Sequence, residues 1–272
     1  MKIYNSINEF NRAKENLSNL SYIPTMGNLH NGHAALIDKG KKLNTEVISS
    51  IYINKLQFND NNDFKNYPKT LVNDINLLKR HGCDHLLIPD DSILNNIQSI
   101  KAPPKANKLC GLNRPGHFDG VLTILNKLFN IIKPTNVIFG KKDYQQFILV
   151  KDFIKDNGLD IKIFGLETIR ESNGLALSSR NSLISREYKP IAPMLFKVLK
   201  EIDSDKSYIS KDLLQFKADY LKHIGFDVDY LVASDSESLE ESYSINDKDI
   251  LVALAAKLGD VRLIDNIILT KL

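Results

Sequence analysis

The sequence is poor in cysteine, since only Cys83 and Cys110 occur among its 272 residues. Two cysteines are too few for a disulfide framework, and no Cys-x-x-Cys pair is present to hold zinc. The chain therefore does not belong to the disulfide-rich secreted class of proteins. We expect it to work in a reducing cytoplasm.

Long apolar runs are also absent. No segment approaches the roughly 18 continuous apolar residues that indicate a membrane-spanning helix. The first ten residues, MKIYNSINEF, carry Asn, Ser and Glu where a secretory signal peptide has an apolar stretch. Both observations favour a cytoplasmic protein without a membrane partner.

Neither positive nor negative charge is in large excess. Lys and Arg total 36 and Asp and Glu total 33, so the net charge is +3, and no long basic run concentrates it. A protein whose main partner is nucleic acid or an anionic membrane surface usually carries a basic patch. We therefore expect neither partner. With 43% hydrophobic residues, the chain can bury a substantial core.

What the sequence does contain is an alternation of short apolar runs and longer helical patterns over residues 5–160. The apolar runs lie at 22–24, 47–53, 85–88 and 137–139. Continuous apolar strands between helices predict an α/β fold with a parallel sheet that is covered on both faces. Such sheets bind ligands beyond the carboxyl ends of their strands, so motifs directly after strands matter most.

The pattern changes after about residue 169. Helical patterns at 186–202 and 210–224 precede three predicted strands at 227–233, 250–256 and 261–269, with Gly259-Asp260 as a hairpin turn. We predict one domain over residues 1–169 and a smaller α+β domain over residues 170–272.

The segment from Ile23 to His33 follows a predicted strand and opens a predicted helix. Unpaired backbone N–H groups and the helix dipole favour a phosphate there, and the imidazoles of His30 and His33 can converge on the same anion. Gly27 and Gly32 let the backbone approach a ligand closely. Read alone, the two histidines are equally well ordinary cap or surface residues, because short motifs often match by chance.

A second predicted strand ends at Gly140 and runs into Lys141, Lys142 and Asp143. A lysine beside a helix N-terminus suits a polyphosphate, and the Asp143 carboxylate suits a ribose hydroxyl. Read alone, Asp143 and Gln146 also fit the N-cap and N3 positions of a helix, and the two lysines fit a solvated surface.

The third segment is Leu177-Ser178-Ser179-Arg180-Asn181, in the loop between the two predicted domains. The guanidinium of Arg180 offers a fork of donors suited to phosphate, and the two serine hydroxyls add more. Ser-Ser-Arg alone is common in loops. At a domain junction we expect it to cover a nucleotide when the small domain moves.

In this order the three segments resemble the pantothenate synthetase family. The family pattern includes a Pro-Thr-Met-Gly loop with His-x-Gly-His, a Phe-Gly-x-Lys-Asp-x-Gln-Gln turn and Leu-Ser-Ser-Arg-Asn. The resemblance covers residues 23–181 and, more loosely, 263–266. It includes further residues between the motifs, namely Asn54, Gln57-Phe58, Tyr67-Pro68, Arg114 and His117-Phe118.

The resemblance implies a Rossmann-like N-terminal domain of the His-x-Gly-His nucleotidyltransferase superfamily, a small C-terminal lid domain and a homodimer. It implies ATP, (R)-pantoate and β-alanine as substrates, with Mg²⁺ accompanying ATP. The implied reaction is an ATP-dependent condensation that gives pantothenate, AMP and pyrophosphate through a pantoyl adenylate.

The resemblance also implies the site residues. His33 takes the position of the catalytic proton donor, with His30, Lys142 and Arg180 beside it in the catalytic set. Residues for pantoate and β-alanine are Gln57, Gln146, Asn54 and Arg114. The ATP site implied by the family comprises Met26, Gly27, Asn28, Leu29, His30, Asn31, Gly32, His33, Gly140, Lys141, Lys142, Asp143, Ile169, Leu177, Ser178, Ser179 and Arg180.

The chain departs from the family pattern at three places. Lys55-Leu56 stands where many relatives have Pro followed by a variable residue, and Lys141 occupies a position that is often Glu. Asn73 stands where an acidic pair often occurs, which leaves Asp74 as the remaining carboxylate for Mg²⁺, although Mg²⁺ is often held mainly by substrate phosphates and water. Two alternative functions remain open at this point: another His-x-Gly-His nucleotidyltransferase, or a catalytically idle nucleotide-binding regulator.

Overall fold

A computed structural model describes residues 1–246 and 248–271 of the chain. The chain forms two compact units. The first comprises Met1–Asn107, Gly111–Lys141 and Gln146–Glu167, and the second comprises Lys108–Cys110, Lys142–Gln145 and Thr168–Leu272. The sequence did not indicate that the second unit would include two short segments from the first half of the chain. The division into domains at residues 169 and 170 stays a prediction.

A parallel sheet forms the centre of the first unit. Its strands are β1 Lys2–Tyr4, β2 Leu20–Thr25, β3 Glu46–Ile51, β4 His85–Leu87, β5 Asn136–Gly140 and β6 Lys162–Leu166. They lie in the order β1-β4-β3-β2-β5-β6, and every neighbouring pair is parallel. The predicted α/β class is confirmed, and the four apolar runs fall on β2 to β5.

Helices alternate with these strands and continue into the second unit. They are α1 Ile7–Ala13, α2 Asn31–Lys42, α3 Asn61–Lys65, α4 Leu71–Arg80, α5 Leu109–Leu112, α6 His117–Ile132, α7 Tyr144–Asp156, α8 Met194–Ser204 and α9 Lys211–His223. Within the described part of the chain, none of them combines the length and the apolar character that crossing a membrane requires.

Apolar side chains from β2 to β5 pack against α2 and α4 in the core of the first unit. Ile23, Ile37 and Leu78 are fully buried there. Gly40 allows α2 to lie directly on the sheet, because a Cβ at this position would stand 2.8 Å from Cγ2 of Val47. Burial of consecutive residues on β2 is typical of a parallel strand covered on both faces.

The strand order determines where the loops of the first unit meet. β2 pairs with β3 on one side and with β5 on the other, all three parallel. The carboxyl ends of these strands therefore share one edge of the sheet. The strand ends and the segments that follow them carry the predicted residues Met26 to His33, Asn54 and Gln57, and Gly140 to Lys141.

The second unit contains an antiparallel sheet with strands β7 Asp227–Asp235, β8 Ile250–Leu258 and β9 Val261–Leu269, in that order. Leu258 pairs with Val261, and Gly259 has a φ of +58°, so Gly259 and Asp260 form the predicted hairpin turn. Residues of α8, α9 and one face of the sheet form the core of this unit. The predicted smaller α+β fold is confirmed.

One helix of this unit begins later than its sequence pattern indicates. The prediction was 186–202, whereas turns occupy 186–193 and α8 begins at Met194. Pro190 and Pro193 explain the difference, because proline has no backbone N–H and disfavours helical geometry in the residue before it. The next helix follows its prediction closely, and Ser210 caps it by accepting a hydrogen bond from the N–H of Leu213.

Replacing Leu254 by alanine should destabilise the second unit strongly. Leu254 is 0% exposed in the core, and such truncations cost about 2–5 kcal/mol. The matched control is Leu183→Ala, since Leu183 is 56% exposed in the same unit and should change stability by less than about 0.5 kcal/mol. Hydrogen–deuterium exchange of β8 and β9 peptides in increasing urea would measure both. Similar losses in the two variants would contradict this description of the core.

Candidate active site

A buried carboxylate holds the loop between β2 and α2. The N–H of Asn28 donates to Oδ2 of Asp74 at 3.0 Å, and the N–H of Leu29 donates to Oδ1 at 2.8 Å. The hydroxyl of Thr70 donates to Oδ1 at 3.0 Å. Asp74 is only 2% exposed, so these charge-assisted hydrogen bonds replace the water that the carboxylate loses.

The same loop needs residues that tolerate a left-handed backbone. Gly27 has a φ of +84° and Asn28 a φ of +50°. Glycine and asparagine adopt such angles at the lowest cost. A Cβ on Gly27 would also stand 3.1 Å from Oδ2 of Asp74, a tight contact that further favours glycine at this position. The loop conformation thus depends on both residue types and on the carboxylate.

The two histidines of the loop cap the N-terminus of α2. Nδ1 of His30 accepts from the N–H of Gly32 at 3.1 Å, and Nδ1 of His33 accepts from the N–H of His30 at 3.3 Å. His30 is the N-cap and His33 the N3 residue of a reciprocal capping box. The ring centroids lie 4.2 Å apart. His30 and His33 can therefore cap the helix and still offer their other ring nitrogens to an anion.

These contacts determine which nitrogen carries hydrogen. A neutral imidazole has one N–H donor and one acceptor nitrogen. Because Nδ1 accepts in both His30 and His33, the hydrogen lies on Nε2 in each ring. Two Nε2–H donors accordingly sit at the positive end of the α2 dipole, an arrangement suited to an anion.

The segment after β3 places an amide side chain beside the same loop. Nε2 of Gln57 donates to Sδ of Met26 at 3.0 Å. Nδ2 of Asn54 donates to Oε1 of Gln57 and to the carbonyl of Gly120, both at 3.0 Å. A Cβ on Gly120 would stand 2.1 Å from the carbonyl oxygen of Leu56, so α6 approaches this turn through its glycine.

Two further side chains hold the backbone of Gln57. Its carbonyl accepts from Nη2 of Arg114 at 3.1 Å and from Nδ1 of His117 at 2.7 Å. Nη1 of Arg114 lies 3.1 Å from Nε2 of His117. A carbonyl only accepts and a guanidinium only donates, so His117 is the Nδ1–H tautomer, opposite to His30 and His33. Sequence reasoning had matched His117 to the family pattern without assigning it a role.

β5 ends at Gly140, and Lys141 follows it directly. Nζ of Lys141 pairs with Oε1 of Glu167 at 2.5 Å, and its side chain is 29% exposed. A Cβ on Gly165 would stand 2.8 Å from Cε of Lys141, so the lysine stem lies over β6. The structure therefore places the ammonium of Lys141 on a carboxylate at the end of β6. Gln146 is partly buried in the first turn of α7.

In the second unit, Lys142 and Asp143 precede α7. Nζ of Lys142 lies 3.4 Å from Oδ2 of Asp143, and the carbonyl of Lys142 accepts from Nδ2 of Asn266 at 2.8 Å. The lysine side chain is 18% exposed and the aspartate side chain 53%. The turn is thus linked to β9 through its backbone.

The loop of residues 169–181 in the second unit is held by several hydrogen bonds. The N–H of Leu177 donates to the carbonyl of Ile169 at 2.9 Å, and Oγ of Ser178 accepts from the N–H of Arg180 at 3.2 Å. Nδ2 of Asn181 donates to the carbonyl of Ala176 at 3.0 Å. Leu177, Ser178, Ser179 and Arg180 are all partly buried. Ile169 is 37% exposed.

Asp74, which the sequence predicted as a Mg²⁺ ligand, holds the loop between β2 and α2, and its role toward Mg²⁺ stays a prediction. Both of its oxygens accept hydrogen bonds from the loop and from Thr70. Among the described residues, no group of three or more His, Cys, Asp and Glu side chains has the arrangement of a metal site. The protein residues therefore do not fit a dedicated magnesium cage.

Known proteins resemble this chain over nearly its whole length. The sequence model of the pantoate-beta-alanine ligase family matches residues 2–268. A pantothenate synthetase of Acinetobacter baumannii is 41% identical over 255 residues, which are 91% of this chain and 89% of that protein. This agrees with the resemblance found from the three motifs.

Two solved structures are similar as well. Pantothenate synthetase from Thermus thermophilus superimposes with a TM-score of 0.91 at 31% identity, over 99% of this chain and 100% of that one. Pantoate-beta-alanine ligase from Francisella tularensis, complexed with beta-gamma ATP and beta-alanine, gives a TM-score of 0.83 at 35% identity, over 98% and 97% of the chains.

The hydrogen-bond pattern predicts opposite tautomers for the histidines. In long-range ¹H–¹⁵N spectra at about pH 8.5, some two units above the ordinary pKa of histidine, His30 and His33 should show Nε2–H and His117 should show Nδ1–H. His117 serves as the internal control, because it is recorded in the same spectrum. Nδ1–H signals from His30 and His33 would rule out the reciprocal cap.

Proposed function

The chain belongs to the pantoate-beta-alanine ligase family, and from that premise we propose how its own residues carry out the reaction. It is a ligase that joins (R)-pantoate to β-alanine through a C–N bond and forms pantothenate, with ATP converted to AMP and pyrophosphate. The observation that carries the proposal is the capped loop after β2, which presents the Nε2–H groups of His30 and His33 at the N-terminus of α2.

The first step needs positioning and charge stabilisation but no general base. The pantoate carboxylate is ionised near pH 7, and it attacks the α-phosphorus of ATP to form pantoyl adenylate. Negative charge grows on the phosphoryl oxygens and on the departing pyrophosphate. We assign the stabilisation of that charge to His30, His33, Lys142 and Arg180, with His33 donating a hydrogen bond from Nε2–H to the phosphoryl oxygens.

The ATP site follows from the same reasoning. The loop of residues 26–33 contacts the nucleotide through the Nε2–H groups of His30 and His33, because the N–H groups of Asn28, Leu29, His30 and Gly32 already donate within the protein. The segments at 140–143 and 177–180 supply lysine, carboxylate, hydroxyl and guanidinium groups. Ile169 contributes an apolar contact to the adenine. Support comes from the hydrogen-bonded loop geometry for the first segment and from the family resemblance for the others.

For pantoate, we propose direct contacts from Gln57 and Gln146. An amide side chain both donates to a carboxylate and pairs with hydroxyls, and pantoate offers both groups. Asn54 and Arg114 contribute by holding Gln57, since one donates to its side-chain oxygen and the other to its carbonyl. This refines the expectation from sequence, which grouped all four as binding residues.

The second step is attack of the β-alanine amine on the activated carbonyl, with AMP as the leaving group. No covalent enzyme intermediate is needed. Burial raises the pKa of the Cys83 thiol to about 12, which removes it as a nucleophile at neutral pH. Cys110 contacts Tyr230 and Arg262, outside the three motifs.

Mg²⁺ accompanies ATP in this proposal. Because both oxygens of Asp74 accept hydrogen bonds from the protein, we assign the ion to phosphate oxygens and water instead of to this side chain.

We also propose a cytoplasmic homodimer. The family resemblance supports the dimer, and the low cysteine content suits a reducing compartment. Sedimentation analysis would measure the association state.

Isotope transfer would test the adenylate route. With ¹⁸O in the pantoate carboxylate, one labelled oxygen should appear in AMP, because that oxygen bridges to phosphorus and stays there when the amine attacks carbon. Pantoate alone should support exchange of labelled pyrophosphate into ATP. Label in phosphate or ADP would indicate an acyl phosphate instead. AMP formation that does not depend on pantoate and β-alanine would contradict the activity itself.

Asp74→Asn should weaken ATP binding about tenfold, because the amide turns a donor toward one backbone N–H, at a cost of about 1–3 kcal/mol. The Mg²⁺ concentration for half-maximal rate should stay within about twofold. Calorimetry would measure ATP affinity, and ¹H–¹⁵N spectra would follow the amides of Asn28 and Leu29. The milder control is Thr70→Val, which removes one donor and keeps the carboxylate. A rise in the magnesium requirement with unchanged loop amides would instead identify Asp74 as a metal ligand.

A further inference from the structure

Two consecutive polar residues of β9 are buried in the second unit. Asp265 is 4% exposed and Asn266 is 8% exposed. Successive side chains of a strand point to opposite faces, so a strand at the sheet edge that buries both needs partners on each side. Buried polar groups cost free energy unless they are hydrogen-bonded. The partners of these two residues therefore indicate what the strand holds in place.

Asp265 is paired with an arginine at the start of the loop of residues 169–181. Nη1 and Nη2 of Arg170 donate to the two carboxylate oxygens at 2.5 and 2.8 Å. The guanidinium also lies 3.6 Å from the ring centroid of Phe196 and donates to the carbonyl of Gly174 at 3.1 Å. This bidentate pair fixes the position of β9 within the unit.

Asn266 connects that anchored strand to the Lys142 turn. Its N–H donates to Oδ1 of Asp265 at 2.8 Å, and its Nδ2 donates to the carbonyl of Lys142, also at 2.8 Å. The carbonyl is a backbone group, so the bond orients the main chain at Lys142 irrespective of its side chain. Because Cα of Lys142 moves with that carbonyl, the bond also determines where the lysine ammonium can reach.

We propose that Asn266 is a positioning residue for the reaction: its side-chain amide holds the main chain at Lys142 so that the lysine ammonium meets the charge that develops on the phosphates. The inference rests on the proposed role of Lys142. A misplacement of the ammonium reduces stabilisation of the transition state more than it reduces ground-state binding. Loss of Asn266 should therefore lower kcat more than it raises the KM for ATP.

A double-mutant cycle on the full-length protein separates this role from a purely structural one. In the otherwise native chain, Asn266→Ala should lower kcat about tenfold, the loss expected for a misplaced charged donor. In the Lys142→Ala background the same change should lower kcat less than about twofold, because no ammonium is left to position. The maximal rate of pantoate-dependent pyrophosphate exchange, which reports the adenylation step, is the measure of kcat in this cycle. The KM of the Asn266→Ala variant for ATP should stay within about threefold of the native value.

Two further variants serve as a substitute for Asn266→Ala and as a control. Asn266→Asp preserves the size of the side chain and places an acceptor against the Lys142 carbonyl, so it should lower kcat by at least the about tenfold expected for Asn266→Ala. It takes the place of Asn266→Ala in the cycle if that variant fails to fold. Asn157→Ala is the matched control, since Nδ2 of Asn157 also donates to a backbone carbonyl at 2.8 Å, that of Phe153. It should leave kcat unchanged. Near-ultraviolet circular dichroism checks the fold of each variant.

The outcomes distinguish the inference from the function on which it depends. If Lys142→Ala turns over normally, the proposed role of Lys142 fails and the positioning role fails with it. If Lys142→Ala is impaired while Asn266→Ala is normal, or while the two losses multiply, the role of Lys142 stands and Asn266 is overturned as its positioning residue. A loss for Asn266→Ala that disappears in the Lys142→Ala background supports the inference.

Discussion

The loop between β2 and α2 keeps its shape because one buried carboxylate accepts hydrogen bonds from two successive backbone N–H groups. Asp74 lies 46 residues from Asn28 in the chain, yet it turns both N–H groups of the loop inward. The left-handed angles of Gly27 and Asn28 and the position of His30 at the start of α2 follow from that geometry. The end of α2 that we propose to bind an anion is thus shaped by contacts within the protein, as a preorganised electrostatic site requires.

Histidine chemistry in this site depends on backbone partners. A backbone N–H can only donate, so it leaves His30 and His33 with hydrogen on Nε2. A backbone carbonyl can only accept, so it gives His117 the other tautomer and lets Nε2 accept from Arg114. The same residue type therefore supplies hydrogen-bond donors at the helix N-terminus and structural support at Gln57. In both places a main-chain group selects the tautomer of the histidine.

The sequence predicted the elements whose signals are local. The apolar runs of β2 to β5 and the Gly259-Asp260 turn needed only neighbouring residues, and both appear in the structure. The late start of α8 was missed, although Pro190 and Pro193 interrupt the helical pattern and could have indicated it. The hydrogen bonds of Asp74 could not be predicted from the sequence, because its donors Asn28 and Leu29 lie far away in the chain. A carboxylate near a predicted phosphate-binding loop suits a metal ion equally well. The inclusion of residues 142–145 in the second unit depends on contacts such as that of Asn266, which no local pattern encodes.

The two adjacent lysines at 141 and 142 show how such contacts give neighbouring identical residues different tasks. Gly140 pairs with Leu166, so the residue after each strand end lies beside the other, and Lys141 meets Glu167 there. A glutamate at 141, as many relatives have, would face that carboxylate and be repelled. The lysine is therefore a local match to Glu167, and because Glu167 is 78% exposed in its side chain the pair contributes less than about 1 kcal/mol. Lys142 has its main chain bound by Asn266, so its position is set by the fold instead of by a surface charge. The departure from the family pattern at 141 can thus be accommodated without disturbing Lys142, the lysine that we propose to act on the phosphates.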